Sequence, residues 1–147
     1  MIRSLIATAL VAATASLGAV QAQAEESHTL TVKVSGLTPD QGTLYVGVSN
    51  TEENYRGFQF LEGQMVKVEG AETTISFTVP DGAYAMHVFQ DLNGDGQPNF
   101  DAKGTPVEPI GASNNASMMY GPAQWSQASF EVTADVEQDV TLKTFGS

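Results

Sequence analysis

Residues 80–91 read PDGAYAMHVFQD. Pro80-Asp81-Gly82 supplies the chemistry of a turn. Beyond it, Tyr84, Met86 and Val88 alternate with Ala85, His87 and Phe89, so an extended segment here is apolar on nearly both sides. A strand of that kind is central in its sheet.

Working outward, apolar and polar residues alternate in TLTVKVSG (29–36) and GTLYVGVS (42–49), the mark of half-buried strands. The intervening GLTPDQG carries Gly, Pro and Asp for a reversal, so the two segments read as an antiparallel pair. QMVKVEG (64–70) and TTISFTVP (73–80) add two strands, the second with Ile75, Phe77 and Val79 on one face. ASFEVT (128–133) and DVTLKTF (139–145) add two more, with Phe130, Val132, Val140 and Leu142 facing in. SNTEENYRGFQFLEG (49–63) is too polar and irregular to assign, and no segment after Glu25 keeps a helical period. Seven short strands separated by turns predict an all-β fold, an antiparallel β-sandwich in the immunoglobulin or prealbumin style.

The first 24 residues stand apart from that pattern. Arg3, an apolar run from Leu5 to Val20 and the small-residue site Ala22-Gln23-Ala24 read as a secretory signal peptide cleaved after Ala24. The expected mature chain, 25–147, suits a single domain, periplasmic or secreted, with no membrane insertion after cleavage. The whole chain has 6 Lys and Arg against 17 Asp and Glu, a formal net charge of −11, and cleavage would remove one of those cations. Such a charge repels nucleic acid and anionic membranes and favours cations. The chain has no cysteine, which excludes disulfides, thiol catalysis and Cys-zinc sites.

Directly after the central strand comes FQDLNGDGQPNFDAKG (89–104). Asp91, Asn93 and Asp95 fall at positions 1, 3 and 5 of a D-x-N-x-D-G run, with Gly96 at 6, the backbone of Gln97 at 7 and Asn99 at 9. Oxygen donors at this spacing suit calcium, a hard cation that takes six to eight of them. Position 12 is Ala102 rather than the usual Glu, so the set closes on Asp101 or on Glu108 from the next segment. The competing reading is a turn, since Asn, Asp and Gly also gather where Asx-turns and left-handed backbone are needed. Crowded carboxylates repel one another, and this favours the cation. The leading expectation is therefore an exported, non-enzymatic protein that holds one calcium ion for structural support.

Residues 91–127 form a long connection rich in Gly, Pro, Asn and Ser, and connections of that length are often functional. Within it, Asn114, Tyr120 and Trp125 offer the stacking and hydrogen bonding that a cell-envelope carbohydrate or peptide would need, although Tyr120 and Trp125 also suit plugs that tuck the loop onto the fold. Hydrolysis has little support, because Ser113 in GASNN lacks the G-x-S-x-G turn. Met86, His87, Met118 and Met119 could form a soft copper set, but packing explains them better.

The stretch from Pro80 to Val132 resembles the bacterial DUF2141 family. The matching features are the G-x-Y-A strand, the Asp/Asn/Gly loop, the segment GTPVEPIGASN, the segment GPAQWSQASF, and the leading signal peptide. The resemblance implies a small exported β-sandwich without established enzymatic activity. Gln90 stands where many members carry His before the Asp.

Overall fold

The computed structural model describes Gly18 and residues 25–145; the signal-peptide expectation for 1–24 lies outside the described stretch. Among the described residues eight strands form: β1 (Ser27–Ser35), β2 (Thr43–Ser49), β3 (Glu62–Lys67), β4 (Glu72–Pro80), β5 (Gly82–Asp91), β6 (Ile110–Ala112), β7 (Phe130–Val132) and β8 (Val136–Thr141). They make two sheets, one ordered β4-β1-β8 and the other β3-β2-β5-β6, with β7 also paired to β5. The chain is mostly β, as its alternation predicts. No helix among the described residues is long and apolar enough to cross a membrane.

The alternating residues meet in one buried cluster. Leu30, Val32 and Val34 of β1 with Ile75, Phe77 and Val79 of β4 face Leu44, Val46 and Val48 of β2 with Tyr84, Met86 and Val88 of β5. Each of these side chains is withdrawn from water, worth roughly 1.5–3 kcal/mol apiece before the entropy of ordering is set against it.

Three expectations need correction. The ladder between β1 and β8 is parallel, so the strands are not all antiparallel. Alternation fixes which face a residue takes but says nothing about the direction of its neighbour. The strand count is eight rather than seven because Ile110–Ala112 pairs with His87–Phe89 inside the long connection. Two short helices also form, α1 (Glu52–Arg56) and α2 (Trp125–Ala128). In α1, Thr51 accepts from the Asn54 amide and Glu52 and Glu53 sit in the first turn, features that stabilise a helix start. One turn is too short to show a period.

Gln90 holds the two sheets in place at one end of the core. Fully buried, it accepts from the Thr38 amide at 2.8 Å and donates to the carbonyls of Thr38 at 2.8 Å and Gln41 at 2.7 Å. It therefore satisfies three backbone groups of the β1–β2 reversal that no strand serves. Gln90→Ala is expected to cost about 3 kcal/mol, because it strands those groups away from water. That corresponds to a fall of roughly 10 °C in the thermal midpoint for a domain of this size. Gln90→His, which keeps one donor and one acceptor, should fall about half as far by scanning calorimetry.

Candidate functional site

On the sheet of β2, β3 and β5, the face turned away from the core carries Tyr45 and Gly47 of β2, opposite Phe89 and His87 of β5. Tyr45 and Phe89 stack with ring centres 4.8 Å apart and planes 6° from parallel. Gly47 also faces Gly63 of β3. A Cβ on Gly47 would lie 2.4 Å from the Phe60 ring, so the glycine lets that ring lie flat on the sheet.

One end of this face is covered. Tyr55, Ala85, Ile110, Ala112, Met118 and Ala128 form a second buried cluster, with Trp125 and Phe145 packed against it. The other end is open. It forms a groove of about 580 Å³ between the 58–65 segment, which supplies Phe58, Phe60 and Met65, and the loop that supplies Pro98 and Phe100. Met65 is 69 % exposed, and Phe58, Phe60 and Phe100 are each more than two-fifths exposed. Among the described residues, no charged side chain lines the groove.

His87 marks the boundary between cover and groove. Its ring is stacked between Tyr55, at 4.0 Å and 8°, and Phe58, at 4.6 Å and 25°. Nε2 lies 3.1 Å from the Tyr55 carbonyl, which can only accept, so Nε2 carries the proton and Nδ1 a bare lone pair. Nδ1 has no hydrogen-bond partner among the described residues, and neither has the buried Tyr55 hydroxyl. Burial pushes the His87 pKa down to about 4, against a smaller opposing effect of the Tyr55 carbonyl. Burial also pushes the Tyr55 phenol up to about 12.

The acidic loop leaves the end of β5 and curls back as one wall of the groove. Asp91, 2 % exposed, accepts from the amides of Gly94 and Gly96, both at 2.8 Å, and both glycines take positive φ. Buried Glu108 clamps the loop from its far side, accepting from Leu92 at 2.9 Å and Asn99 at 3.1 Å. Asp95, Asn93 and Asn99 come together: both amide groups donate to Asp95 Oδ2, at 3.4 Å from Asn93 and 2.8 Å from Asn99. The Asn99 hydrogen bond and the Gln97 amide lower the Asp95 pKa. The Gln97 amide bonds Asp95, and its residue lines the groove. Asp101 stands apart, accepting from the amides of Thr105 at 2.9 Å and Lys103 at 2.8 Å in a turn of its own, which lowers its pKa. Among the described residues, no three of His, Asp and Glu gather as a metal-holding group.

Asn114, Tyr120 and Trp125 have different surroundings. Asn114, at φ 57°, donates to the carbonyls of Gln127 and Ser129. Trp125 packs edge-on against Tyr55 at 5.9 Å, as a plug would, whereas Tyr120 is 96 % exposed. The soft set is also divided: Met86 points into the core and His87 to the opposite face. What the sequence reading missed is the groove itself. Its signal was Phe58-Gln59-Phe60, an aromatic alternation in the unassigned segment, together with glycines on two neighbouring strands.

A family model described as "Uncharacterized protein conserved in bacteria" (DUF2141) matches residues 32–141. No curated protein and no solved structure matches the chain.

The depressed His87 pKa makes stability depend on pH in a defined window. In the unfolded chain the imidazole takes up a proton near 6.5, whereas in the folded chain it resists until about 4. The unfolded state therefore binds more protons between those values, and stability falls as pH drops from about 7 to 4. The expected loss is about 3 kcal/mol. His87→Phe should flatten this part of a pH series of denaturant midpoints. The contributions of Asp95 and Asp101, whose hydrogen bonds hold their carboxyls below the ordinary carboxylate range, disappear only at lower pH.

Proposed function

The chain belongs to the DUF2141 family, and from that premise we propose that it is an exported, non-catalytic binding protein whose working surface is the apolar groove on β2, β3 and β5. The observation that carries this reading is the exposure of Phe58, Phe60, Met65 and Phe100 around one concavity. Clustered apolar exposure of this kind marks binding sites. The fold that presents it is read as a β-sandwich of the immunoglobulin or prealbumin style. The shared core between the two sheets supports that reading. A single buried, neutral imidazole in the groove supplies no acid–base pair, which favours binding over turnover. Export, to the periplasm or beyond the cell, rests on the Leu5–Val20 run and the Ala22-Gln23-Ala24 site. The groove, rather than Asn114, Tyr120 and Trp125, is proposed as the recognition surface.

The groove reading is tested with N-phenyl-1-naphthylamine, a neutral dye that brightens in apolar sites. It should bind the protein saturably. Gly63 lines the groove, and an added Cβ would meet a backbone oxygen at 3.6 Å, an ordinary contact, so Gly63→Leu is the substitution chosen to fill the groove. That variant should keep its melting temperature and lose dye binding at least tenfold. Equal binding by both proteins would dismiss the groove.

A second reading is favoured by the convergence of Asp95, Asn93 and Asn99. Turning either amide by 180° exchanges its NH₂ for its carbonyl oxygen, so the same three side chains can present oxygens to one cation. Asp91 adds lone pairs that its two amide bonds leave free, and the Gln97 carbonyl lies next in the chain. Calcium is the proposed ion, stiffening the groove wall with an affinity of about 0.1–1 mM. At about ten times Kd it should add roughly 1.4 kcal/mol and raise the melting midpoint by roughly 3–6 °C. Asp95→Ala should abolish the rise and Asp101→Ala should leave most of it. Calorimetric titration of chelator-stripped protein, with magnesium as control, measures both. If millimolar calcium produces neither heat nor a shift, the loop is a turn only.

A further inference from the structure

The groove is lined by aromatic rings that water reaches. Phe58, Phe60 and Phe100 are 42 %, 45 % and 43 % exposed, and Tyr45 and Phe89 are partly so. Phe60 lies against Gly47, where it leaves no room for a Cβ, so the sheet takes one side of that ring. Phe58 stacks on His87, and Tyr45 on Phe89, so these rings are held in place before any ligand arrives. The face of an aromatic ring carries the negative part of its quadrupole and attracts a cation placed over it.

The charges around the groove favour the same sign of ligand. Among the described residues no charged side chain lines it, and His87 stays neutral down to about pH 4, so no side-chain cation competes for the rings. Two carboxylates bond the wall itself: Asp91 accepts from the Gly96 amide at 2.8 Å and Asp95 from the Gln97 amide at 2.9 Å. The whole chain has a formal net charge of −11. An anion is repelled by this field and a cation drawn in. The apolar lining also selects among cations. A primary ammonium brings three N–H donors that need acceptors, whereas a quaternary nitrogen brings none.

Resting on the groove reading above, we propose that the protein binds a hydrophobic organic cation without N–H donors, a quaternary ammonium or N-alkylated ring compound, against the aromatic rings of the groove. The volume of about 580 Å³ suits a molecule of two or three rings.

Three probes of nearly equal shape separate charge from apolarity: 1-methylquinolinium, a cation without N–H; 4-methylquinoline, uncharged at pH 8; and 1-naphthoate, an anion. Calorimetric titration of the protein at pH 8 should rank 1-methylquinolinium about three- to fivefold tighter than 4-methylquinoline, the advantage of a cation over exposed aromatic faces. 1-Naphthoate should bind weakest. The preference for the cation should persist in molar sodium chloride, which screens the net charge but not a cation in contact with a ring. Phe60→Leu keeps an apolar side chain and removes one ring, so it should narrow the preference. The ranking on the unaltered protein stands even if that variant folds poorly. Equal or tighter binding of 4-methylquinoline, with N-phenyl-1-naphthylamine still bound, would overturn the cation and keep the groove. Tighter binding of 1-naphthoate would do the same. Undiminished binding of 1-methylquinolinium to Gly63→Leu, or loss of its preference in salt, would assign it to the acidic surface and overturn the proposal. Failure of every probe to bind would also overturn it; loss of N-phenyl-1-naphthylamine binding as well would remove the groove reading beneath it.

Discussion

A strand apolar on both faces gains burial from cover on both, and β5 is such a strand. Tyr84, Met86 and Val88 enter the core between the sheets, which leaves Ala85, His87 and Phe89 on the outer face. Leaving that row in water would forfeit burial that the core residues obtain. The connection from 92 to 129 answers this demand by folding back over β5 with Ile110, Ala112, Met118 and Ala128. The cover stops short of Tyr45 and Gly47, and the groove is the part of the outer face that it leaves open. Site and core are therefore two results of one strand.

The long connection has no disulfide to hold it and little regular structure of its own. It is held by polar side chains that reach back to backbone groups. Asp91 and Glu108 gather the amides of the acidic loop, and Asn114 takes the carbonyls of Gln127 and Ser129. Asn115 accepts from Thr141 on β8, tying the cover to the other sheet's edge strand. Buried backbone groups that no ladder serves must find such partners. This accounts for the density of Asp and Asn there whether or not a cation joins them.

Much of this arrangement was legible in the sequence, and the rest was hidden for identifiable reasons. The alternation through Leu30–Val34, Leu44–Val48 and Ile75–Val79 names the inward residues, because a strand's period assigns faces directly. The two-sided character of 84–89 is equally direct. Strand neighbours are not: the parallel partnership of β1 and β8 depends on where the chain returns after the cover, which no local pattern records. Ile110–Ala112 is too short, and carries a glycine, to stand out as a strand. The acidic loop announced its oxygens, but only the fold decides that Asp95 joins Asn93 and Asn99 while Asp101 serves its own turn. The groove draws Phe58, Met65, His87 and Phe100 from segments far apart in the chain. Each looks ordinary alone.

Ser113 carries a consequence for how the molecule opens. Along β5, β6 pairs with His87–Phe89 and β7 with Gly82–Tyr84, and the Met86 amide between them donates to the Ser113 hydroxyl at 2.9 Å. The same hydroxyl donates to the Ala128 carbonyl. Two segments of the cover and the central strand thus share one oxygen, so the cover cannot lift without exposing a sheet amide. Cover and sheet behave as one cooperative unit, and solvent exchange at a residue in the core becomes a gauge of motion at the surface.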